Sequence, residues 1–377
     1  PVAEQKQKHE DVKSFQDLQQ EVLDRGLCGR CGGCASFCSA DEMNALDFDR
    51  TDGPHLISDD NCLKCGICYL ICPQIKALDA EVRERFGWQP PIGSFRSIVS
   101  ARTTEPKVAE VCTDGGVVTS LLRYALEKRI IHGALVSRKI GPFQREPFLA
   151  TSPDELIDAA GTHFDEVQHL GDFGKGYSTY SPTIQEIKTL GQRRLDRVAL
   201  VGTPCQIYTV RKMQVLSILP ADSIVFTIGL FCMENFSFDA AAKTTLEKNL
   251  GLNIDDVAKL NIKDDVIITT TAGKVIHLPF EAVDEIARPA CMACPDFAND
   301  FADVSVGGLG SPDGYTTTVI RSGLGQKLFN GAKHARLIRQ LSLGGKDRAK
   351  LHRTELMAKI TSFARRKKAR ARETFAA

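Results

Sequence analysis

The chain has 377 residues, of which 43% are hydrophobic and 25% are charged, so it should form two or three domains at about 150 residues each. A formal net charge of +1 excludes a protein that works as a polyanion or polycation. No apolar run approaches the ~18 residues of a membrane-spanning helix, and the polar N-terminus lacks a signal-peptide stretch. We therefore expect no direct membrane span, and a cytoplasmic protein whose thiols stay reduced.

Eight of the 13 cysteines form two runs with one spacing pattern. A short amphipathic helix is predicted before Gly26. The first run then reads CxxCxxCxxxC, and the second repeats this spacing and ends at Pro73. The cysteines are Cys28, Cys31, Cys34 and Cys38 in the first run, and Cys62, Cys65, Cys68 and Cys72 in the second. This repeat is typical of bacterial-type ferredoxins that bind two 4Fe–4S clusters.

In such ferredoxins the fourth cysteine of each run binds the cluster of the other run. We therefore predict two ligand sets. The inner cysteine set is Cys28, Cys31, Cys34 and Cys72, and the outer cysteine set is Cys62, Cys65, Cys68 and Cys38. Ser39 stands where a proline is usual, which removes no ligand. Structural zinc, which prefers paired CxxC motifs, is the alternative.

The Pro/Gly-rich stretch at residues 88–93 marks a domain boundary. From Arg96 onward, short apolar runs alternate with amphipathic segments, which predicts an α+β or mixed α/β fold with a partly parallel sheet. The predicted strands are Ile98–Ala101, Ile130–Ser137, Val198–Gly202 and Ile224–Phe231, the predicted helices are Val117–Lys128 and Gly323–Asn330, and Asp265–Thr271 with Val275–Pro279 forms a predicted hairpin.

Four further cysteines follow in the second half of the chain. Cys205 stands where a strand should turn into a helix, Cys232 ends another apolar strand, and Cys291 and Cys294 form a CxxC. Strand ends on one edge of a sheet lie close together, so these four residues could bind a third 4Fe–4S cluster. The alternative is two buried cysteines beside a zinc or redox CxxC.

A glycine pair opens the predicted helix that begins at Val117. Asp114, Gly115 and Gly116 precede it and Thr119 lies in its first turn, where free N–H groups could face an anion such as a cofactor pyrophosphate. Glycine pairs start many helices, so the motif alone is weak. The sequence has no GxGxxG, GxxxxGKS/T or HExxH motif. We interpret the neighbouring Cys112 as a plain thiol.

The C-terminal stretch at residues 346–377 is strongly basic, with 11 lysine and arginine residues against 3 acidic ones. We expect a solvated helix, or an arm that docks on an acidic partner subunit. No aromatic platform or reading motif accompanies the charges, so nucleic acid is not an expected partner.

From about Arg96 the sequence resembles the beta subunit of coenzyme F-420 hydrogenases and dehydrogenases, flavoproteins that exchange hydride with the deazaflavin F-420. The resemblance rests on motifs that follow the family's order. They are Asp114–Thr119, Ala160–Thr162, Val201–Gln206, Gly229–Phe236, Cys291–Phe297, Ala302–Ser305 and Gly310–Gly314. With the ferredoxin runs in front, the chain is similar to the electron-input subunit of F-420H2 dehydrogenase complexes.

The resemblance implies FAD in the N-terminal half of the α/β flavoprotein domain. It also implies a 4Fe–4S cluster on the sheet-edge cysteine set, which is Cys205, Cys232, Cys291 and Cys294. The implied cofactor-binding positions are Asp114, Gly115, Gly116, Thr119, Gly161, Thr162, His163, Gly202 and Thr203. His163 and Phe164 replace the usual Lys-Tyr, and an insertion follows through residues 171–176. No side chain is implied as catalytic.

The expected organisation is a two-cluster ferredoxin domain with a leading helix (1–90), an FAD-binding half (95–190), a C-terminal half with the third cluster (191–345) and the basic tail (346–377). A flavin exchanges hydride pairs and single electrons, so it would stand between F-420, the substrate, and the three 4Fe–4S clusters. Single electrons would then pass to or from a partner subunit.

The implied partners are other subunits of a redox complex of hydrogenase, formate dehydrogenase, heterodisulfide reductase or quinone/phenazine-reducing type. The expected location is cytoplasmic, or peripheral on a membrane complex. Two alternatives remain: a cluster-only electron-transfer adaptor, and a flavin enzyme that uses ferredoxin or another donor instead of F-420.

Overall fold

The computed structural model describes residues 12–38, 44–49, 53–141, 144–161, 177–178, 187, 190, 195–238, 240–262 and 265–376. The predicted cofactor positions Thr162 and His163 lie outside the described residues, as do Ser39, Phe164 and the insertion at 171–176. Where the structure describes the chain, no helix is both long and apolar enough to cross a membrane.

The helices are α1 (Phe15–Leu18), α2 (Gly33–Cys38), α3 (Ile67–Leu70), α4 (Asp79–Arg85), α5 (Pro106–Val111), α6 (Val117–Glu127), α7 (Pro153–Asp158), α8 (Pro204–Val215), α9 (Leu219–Asp222), α10 (Ala240–Leu250), α11 (Pro289–Met292), α12 (Gly323–His334) and α13 (Lys346–Ala376). A π-helical turn, Gln19–Leu23, continues α1, and 3-10 turns occupy Ile254–Asp256, Phe280–Ala282 and Asp284–Ile286.

The strands are β1 (Leu46–Asp49), β2 (Gly53–Leu56), β3 (Ser97–Thr103), β4 (Gly133–Gly141), β5 (Gln144–Ala150), β6 (Tyr177–Ser178), β7 (Val198–Gly202), β8 (Ile224–Leu230), β9 (Ser237–Phe238), β10 (Val257–Ile262), β11 (Val266–Thr270), β12 (Val275–Leu278), β13 (Val304–Gly307), β14 (Thr316–Ile320) and β15 (Ile338–Gln340). The predicted strands, helices and hairpin are all present, and most ends shift by a few residues.

One eight-stranded sheet forms the centre of the α/β part, in the order β15-β3-β14-β13-β8-β7-β4-β5. Its four middle strands, β13, β8, β7 and β4, are parallel, and antiparallel strands complete both sides. Apolar residues fill these strands because helices cover both faces. The expected mixed α/β fold behind a ferredoxin module is confirmed.

The ferredoxin module has a small core under the hairpin β1–β2, which also includes Ala293 from the α/β part of the chain. Phe15, Leu18 and Val22 from the leading helix pack there with Leu46 and Cys68. A capping box at Ser14 starts α1, because the Ser14 backbone N–H donates to Asp17 Oδ2 at 2.7 Å. Burial of these apolar side chains holds both cysteine loops against one helix.

The ferredoxin module is bound to α8 through a polar interface. Tyr208 Oη donates to Asp79 Oδ1, and Arg85 donates to the carbonyl of Gln214 at 2.6 Å. Trp88 Nε1 donates to Asp300 Oδ2 at 2.9 Å. The two parts of the chain therefore share partly buried hydrogen bonds, whose loss would leave polar groups without these partners.

The basic tail corrects the sequence-based expectation. It is one long helix, α13, and the expectation of a solvated helix or of an arm that docks on a partner subunit does not account for its buried face. One face of it is buried against the chain's own body at Leu356, Ile360, Ala364, Lys367 and Ala371. These positions recur every three or four residues, which is one helix face. The many basic side chains on the rest of the helix made this apolar face hard to recognise from the sequence.

Candidate iron–sulfur and flavin sites

The sheet-edge cysteine set lies where the parallel strands end. Cys205 is the second residue of α8, directly after β7, and Cys232 comes two residues after β8. Asn299 ties the two strand ends together, because its Nδ2 donates to the carbonyls of Gly202 (3.0 Å) and Leu230 (3.2 Å). The carboxyl ends of neighbouring parallel strands thus bring two cysteines from distant parts of the sequence to one place.

The CxxC cysteines join this edge through Asn235. The backbone N–H of Asn235 donates to Cys291 Sγ at 3.4 Å, and its side-chain amide donates to Cys232 Sγ at 3.6 Å. The backbone N–H of Cys232 is in turn held by the carbonyl of Phe297 at 3.0 Å. One asparagine therefore binds two sulfurs of the set, as expected around a thiolate-rich site.

The thiols of the set lie close enough to influence one another. Burial, with some contribution from the neighbouring thiols, raises the pKa of Cys232 and Cys291 and raises the pKa of Cys294 to about 11. The Cys205 thiol is among the neighbours that raise all three values. Four thiols gathered in a buried place require a cation or a metal cluster to carry thiolate charge.

A cation is supplied by α13. Lys367 is buried, and its Nζ donates to the carbonyl of Cys232 at 2.5 Å. Burial alone would lower the pKa of Lys367, but Cys294, Cys232 and Cys291 outweigh it, so the pKa is raised. Arg370, one turn further, pairs with Glu234 and donates to the carbonyl of Cys291 at 3.4 Å. The sequence analysis missed both residues.

The inner cysteine set adjoins the sheet edge. Burial raises the pKa of Cys34 well above its ordinary value, and the thiols of Cys31, Cys28 and Cys72 add to the rise. Cys205 acts electrostatically on Cys28 and Cys31 as well. The four cysteines of the inner set are thus near one another, although Cys72 belongs to the second sequence run.

Thr209 connects the two sets directly. Its Oγ1 lies 3.7 Å from Cys31 Sγ and donates to the carbonyl of Cys205 at 2.9 Å. Cys31 and Thr209 are 178 positions apart in the sequence. A single side chain therefore spans from the inner set to the sheet-edge set.

A second buried lysine serves the inner set. Lys212 of α8 is 0% exposed, and its Nζ donates to the carbonyls of Cys72 (2.8 Å) and Ile75. Burial lowers the pKa of Lys212, while Asp79 and Cys72 oppose that change. Each of the two buried lysines therefore donates to the carbonyl of a predicted cysteine ligand.

The outer cysteine set faces the surface. Burial raises the pKa of Cys68 to about 12, and Cys38, Cys65 and Cys62 add to the rise, so this set also lies together. Cys65 is exposed, and the neighbouring Leu63 is 71% exposed. Solvent reaches this set far more easily than the other two.

The donor sets fit iron–sulfur clusters. Each set offers four thiols, the donor chemistry of a 4Fe–4S cluster, in which each iron takes one thiolate. Across the described ranges, no group of three or more Cys, His, Asp or Glu side chains has the spacing for a single metal ion. A cluster of four irons is larger than one ion and needs its ligands further apart.

The predicted pyrophosphate loop packs against β3 and β14. The backbone N–H of Gly115 donates to Thr316 Oγ1 at 2.9 Å, so this N–H is not free for an anion. A Cβ at Gly115 would lie 2.6 Å from the carbonyl oxygen of Ala101, so only glycine fits. Gly116, at φ +68°, is the N-cap of α6 and has no side chain to cap the helix.

The remaining flavin positions have mixed surroundings. Thr119 is buried in the first turn of α6, and Gly202 and Thr203 end β7. The Thr203 backbone N–H donates to Gln206 Oε1 at 2.9 Å, which caps α8 and keeps Cys205 in place. Gly202 and Thr203 therefore help to fix the start of α8 and the position of Cys205.

Arg145 fixes the turn that leads towards the predicted flavin segment. It donates to the carbonyls of Ala159 (2.8 Å) and Gly161 (2.9 Å) and to Ser137 Oγ (2.8 Å). Burial lowers its pKa to about 10. The sequence offered no signal for this residue, because its partners are backbone carbonyls that the chain brings together only on folding.

The predicted pyrophosphate loop and the sheet-edge cysteine set share one edge of the sheet. β3 is antiparallel to β14, and β14 is antiparallel to β13, so β3 runs parallel to β8. The Gly115 carbonyl accepts from the Thr103 N–H at 2.6 Å, at the carboxyl end of β3. Three strand spacings separate β3 from β8, which is about 14 Å.

Comparison with known proteins identifies the family. Residues 98–171 match the N-terminal part, and residues 195–343 the C-terminal part, of the coenzyme F-420 hydrogenase/dehydrogenase beta subunit. Residues 20–82 match a 4Fe–4S dicluster domain. The coenzyme F-420 hydrogenase subunit beta of Methanothermobacter thermautotrophicus is 34% identical over 249 residues, which cover 65% of this chain and 83% of that protein.

The chain belongs to the coenzyme F-420 hydrogenase/dehydrogenase beta subunit family. A second relative, a component of the F(420)H(2) dehydrogenase of Methanosarcina mazei, is 26% identical over 318 residues, or 82% of this chain and 83% of that protein. A chain of the F-420-reducing NiFe hydrogenase complex of Methanosarcina barkeri superposes with a TM-score of 0.63 at 28% identity, over 76% of this chain and 93% of that one.

These matches confirm the resemblance stated from the motifs, including the ferredoxin module in front. They also confirm the expectation of an oxidoreductase of this family. The relatives are subunits of larger redox complexes. The described residues that sequence reasoning missed are Asn235, Asn299, Thr209, Lys212, Lys367, Arg370 and Arg145.

Proposed function

We propose that the chain exchanges hydride between coenzyme F-420 and FAD and passes single electrons through three 4Fe–4S clusters to or from a partner subunit. The clusters would be held by the sheet-edge, inner and outer cysteine sets. The observation that carries the proposal is the contact of Thr209 with both Cys31 and Cys205, because it makes the inner and sheet-edge sets immediate neighbours.

The order of electron transfer follows from this neighbourhood. Cys205 acts on Cys28 and Cys31 of the inner set, and Cys68 of the outer set is among the thiols that act on Cys34. From these neighbours we infer the order sheet-edge, inner and outer for the three sets. We assign the sheet-edge cluster as the flavin's partner and the outer cluster as the exit.

FAD, when bound, supplies the conversion between a hydride pair and single electrons. The first turn of α6 supports its pyrophosphate in this proposal, because Gly116 leaves the helix start without a side-chain cap. Gly115 shapes the loop and does not donate its own N–H. Arg145 holds Gly161 in place at the start of the segment where the flavin ring is expected.

The outer set is the part of the relay that a partner subunit can approach. Cys65 is exposed, and Leu63 and Ile57 are 71% and 50% exposed nearby in sequence. Exposed apolar side chains beside a redox centre are typical of a docking surface. We infer that a component of a hydrogenase, dehydrogenase or related redox complex covers this surface.

The test is substitution of Cys294, with iron, flavin and turnover measured in anaerobically purified protein. Three clusters require about 12 irons per chain, so Cys294→Ala should lower the content to about eight. FAD should stay bound and be reduced by reduced F-420 in a single rapid turnover. Steady-state electron transfer to a downstream acceptor should collapse, because the relay is broken.

Cys112→Ala is the matched control. Cys112 belongs to none of the three sets, and its thiol donates to the Asp114 carbonyl at 3.1 Å, so iron content should stay unchanged. Full turnover by Cys294→Ala with its flavin retained would place the third cluster off the path. Stoichiometric zinc in the wild-type protein would contradict the cluster assignment itself, and protein without flavin would support the adaptor alternative.

A further inference from the structure

A fully buried ammonium group lies beside the sheet-edge cysteine set. Lys367 is 1% exposed, and its Nζ donates to the carbonyl of Cys232. Lysine is almost never fully buried unless a negative charge accompanies it. Among the described residues, no carboxylate lies within ion-pair distance of this amine, but Asp296, two residues after Cys294, also raises its pKa, after the thiols of Cys294, Cys232 and Cys291.

The other cations of this helix segment have partners of their own, and the buried Arg288, just before α11, also lowers the pKa of Cys291, which burial raises. Arg370 pairs with Glu234, whose side chain is fully buried. Lys368, next to Lys367 on α13, points its amine at the carbonyl of Pro91, 2.6 Å away. Arg366 pairs with Glu281 at 2.7 Å on the surface. Lys367 is therefore the cation of this helix segment that faces the cysteine set and the neighbouring Asp296.

A 4Fe–4S cluster with four thiolate ligands carries a net negative charge, which grows by one when the cluster accepts an electron. A fixed positive charge at close range stabilises the reduced form more than the oxidised form. Such an interaction is screened weakly in a buried site, where the effective dielectric constant is far below that of water.

We propose that Lys367 is the buried counter-charge of the third cluster and that it raises the reduction potential of this cluster. The proposal rests on the proposed function only in requiring a cluster on the sheet-edge set. Lys367 is a positioning residue, because it acts on the ligands and does not bind iron. The C-terminal helix, which the sequence assigned to solvent or a partner, thereby becomes part of the electron relay.

The test is a redox titration of the full chain with dithionite and mediators, followed by electron paramagnetic resonance. The signal that disappears in Cys294→Ala identifies the third cluster. Lys367→Met should lower the equilibrium constant for one-electron reduction of that cluster at least about tenfold, which is about 59 mV towards more negative potential. The signals of the other two clusters should stay where they are.

Two variants separate charge from fold. Lys367→Arg keeps the charge. The potential of its third cluster should therefore differ from wild type by only a small fraction of the shift expected for Lys367→Met. Lys368→Met makes the same substitution one position away and should leave the third cluster unchanged, because its amine faces Pro91. If Lys367→Met binds about eight irons and Lys367→Arg binds about twelve, the charge is needed to hold the cluster, which also supports the proposal.

Other outcomes overturn it. An unchanged potential in Lys367→Met with all irons present would exclude the counter-charge role while leaving the three-cluster relay intact. Equal loss of the cluster in both Lys367 variants would assign the residue a purely structural hydrogen bond. Wild-type protein without a third cluster would contradict the cluster assignment and this proposal together. The iron count of the wild-type protein distinguishes this outcome from an unchanged potential in Lys367→Met.

Discussion

The sheet-edge and outer cysteine sets offer the same four thiols in different surroundings. At the sheet edge, Asn235 and Lys367 are held around the sulfurs by contacts from distant parts of the chain. The outer set takes Cys38 and Cys68 from α2 and α3 and Cys62 and Cys65 from a loop, where Cys65 is at the surface and Leu63 lies nearby in sequence. The number of cysteine ligands alone therefore does not determine the solvent exposure or the electrostatic surroundings of a cluster site.

The difference between the two sets shows where contacts between distant parts of the chain surround the cysteines. The inward sites receive buried lysines and hydrogen bonds, which set charge and exclude water. The outward site receives backbone N–H bonds from Ala45 and Leu46 at Cys38, and its Cys65 remains accessible. Burial, hydrogen bonds and nearby charge are the main means by which a protein tunes an iron–sulfur potential.

The largest expected effect comes from breaking the strand-end arrangement with Gly229→Ala. A Cβ at Gly229 would lie 2.2 Å from Cγ of Asn299, which joins the ends of β7 and β8. The clash should lower the free energy of unfolding by about 1–3 kcal/mol and should reduce iron content towards eight. Urea unfolding and iron analysis measure both.

Gly323→Ala is the matched control, because its new Cβ would meet only Arg96 Nη2 at 3.6 Å, an ordinary contact. It should leave stability and iron content close to wild type. If Gly229→Ala were as stable as this control and kept its iron, the sheet edge would not depend on Asn299.

A smaller effect is expected when the inner set loses its lysine. Lys212→Met leaves the carbonyls of Cys72 and Ile75 without their donor, but it also removes a buried charge. The net loss should be about 1–2 kcal/mol in the free energy of unfolding. Fluorescence of Trp88, the only tryptophan and part of the same interface, reports the transition.

Lys107→Met, on the exposed side of α5, provides the comparison for Lys212. It should unfold at the wild-type urea concentration. Equal midpoints for the two variants would mean that the buried amine contributes nothing to the contact between the ferredoxin module and α8.

The smallest effect on stability is expected at the outer set. Leu63→Ser should change the free energy of unfolding by less than about 0.5 kcal/mol, because the side chain is 71% exposed. Electron transfer to the partner subunit should slow several-fold, whereas reduction of a small viologen dye should not change. Steady-state assays with both acceptors separate docking from the relay.

Leu351→Ser makes the same change at a 60% exposed position on α13. It should affect neither acceptor. A Leu63 variant that serves the partner as well as the Leu351 variant does would place the exit elsewhere on the molecule.

Local features of this protein could be predicted from the sequence. The cysteine spacing indicated the ferredoxin module, and the alternating apolar runs indicated β7, β8 and α6 with nearly correct ends. The motifs at Asp114–Thr119 and Val201–Gln206 led to the correct family. In each case the signal lies within a few consecutive residues.

Features that depend on distant residues could not be predicted. Nothing near Lys212 indicates that its amine meets Cys72, 140 positions away, and Lys367 is hidden in a run of four basic residues. The buried stripe on α13 is hard to see in the sequence, because its few small and apolar residues are separated by many charged ones. Gly115 was expected to offer its N–H to an anion, but the tertiary fold gives that group to Thr316.

The distance between Cys232 and Lys367 along the chain also sets an order of events during synthesis. They are 135 positions apart, and Cys294, the last of the sheet-edge ligands, also precedes Lys367. A ribosome that adds about 5–20 residues per second completes the ligand set several seconds before the lysine exists. Iron–sulfur insertion in that interval would meet four thiols without their counter-charge, because α13 can pack over the site only after the ligand set has been synthesised.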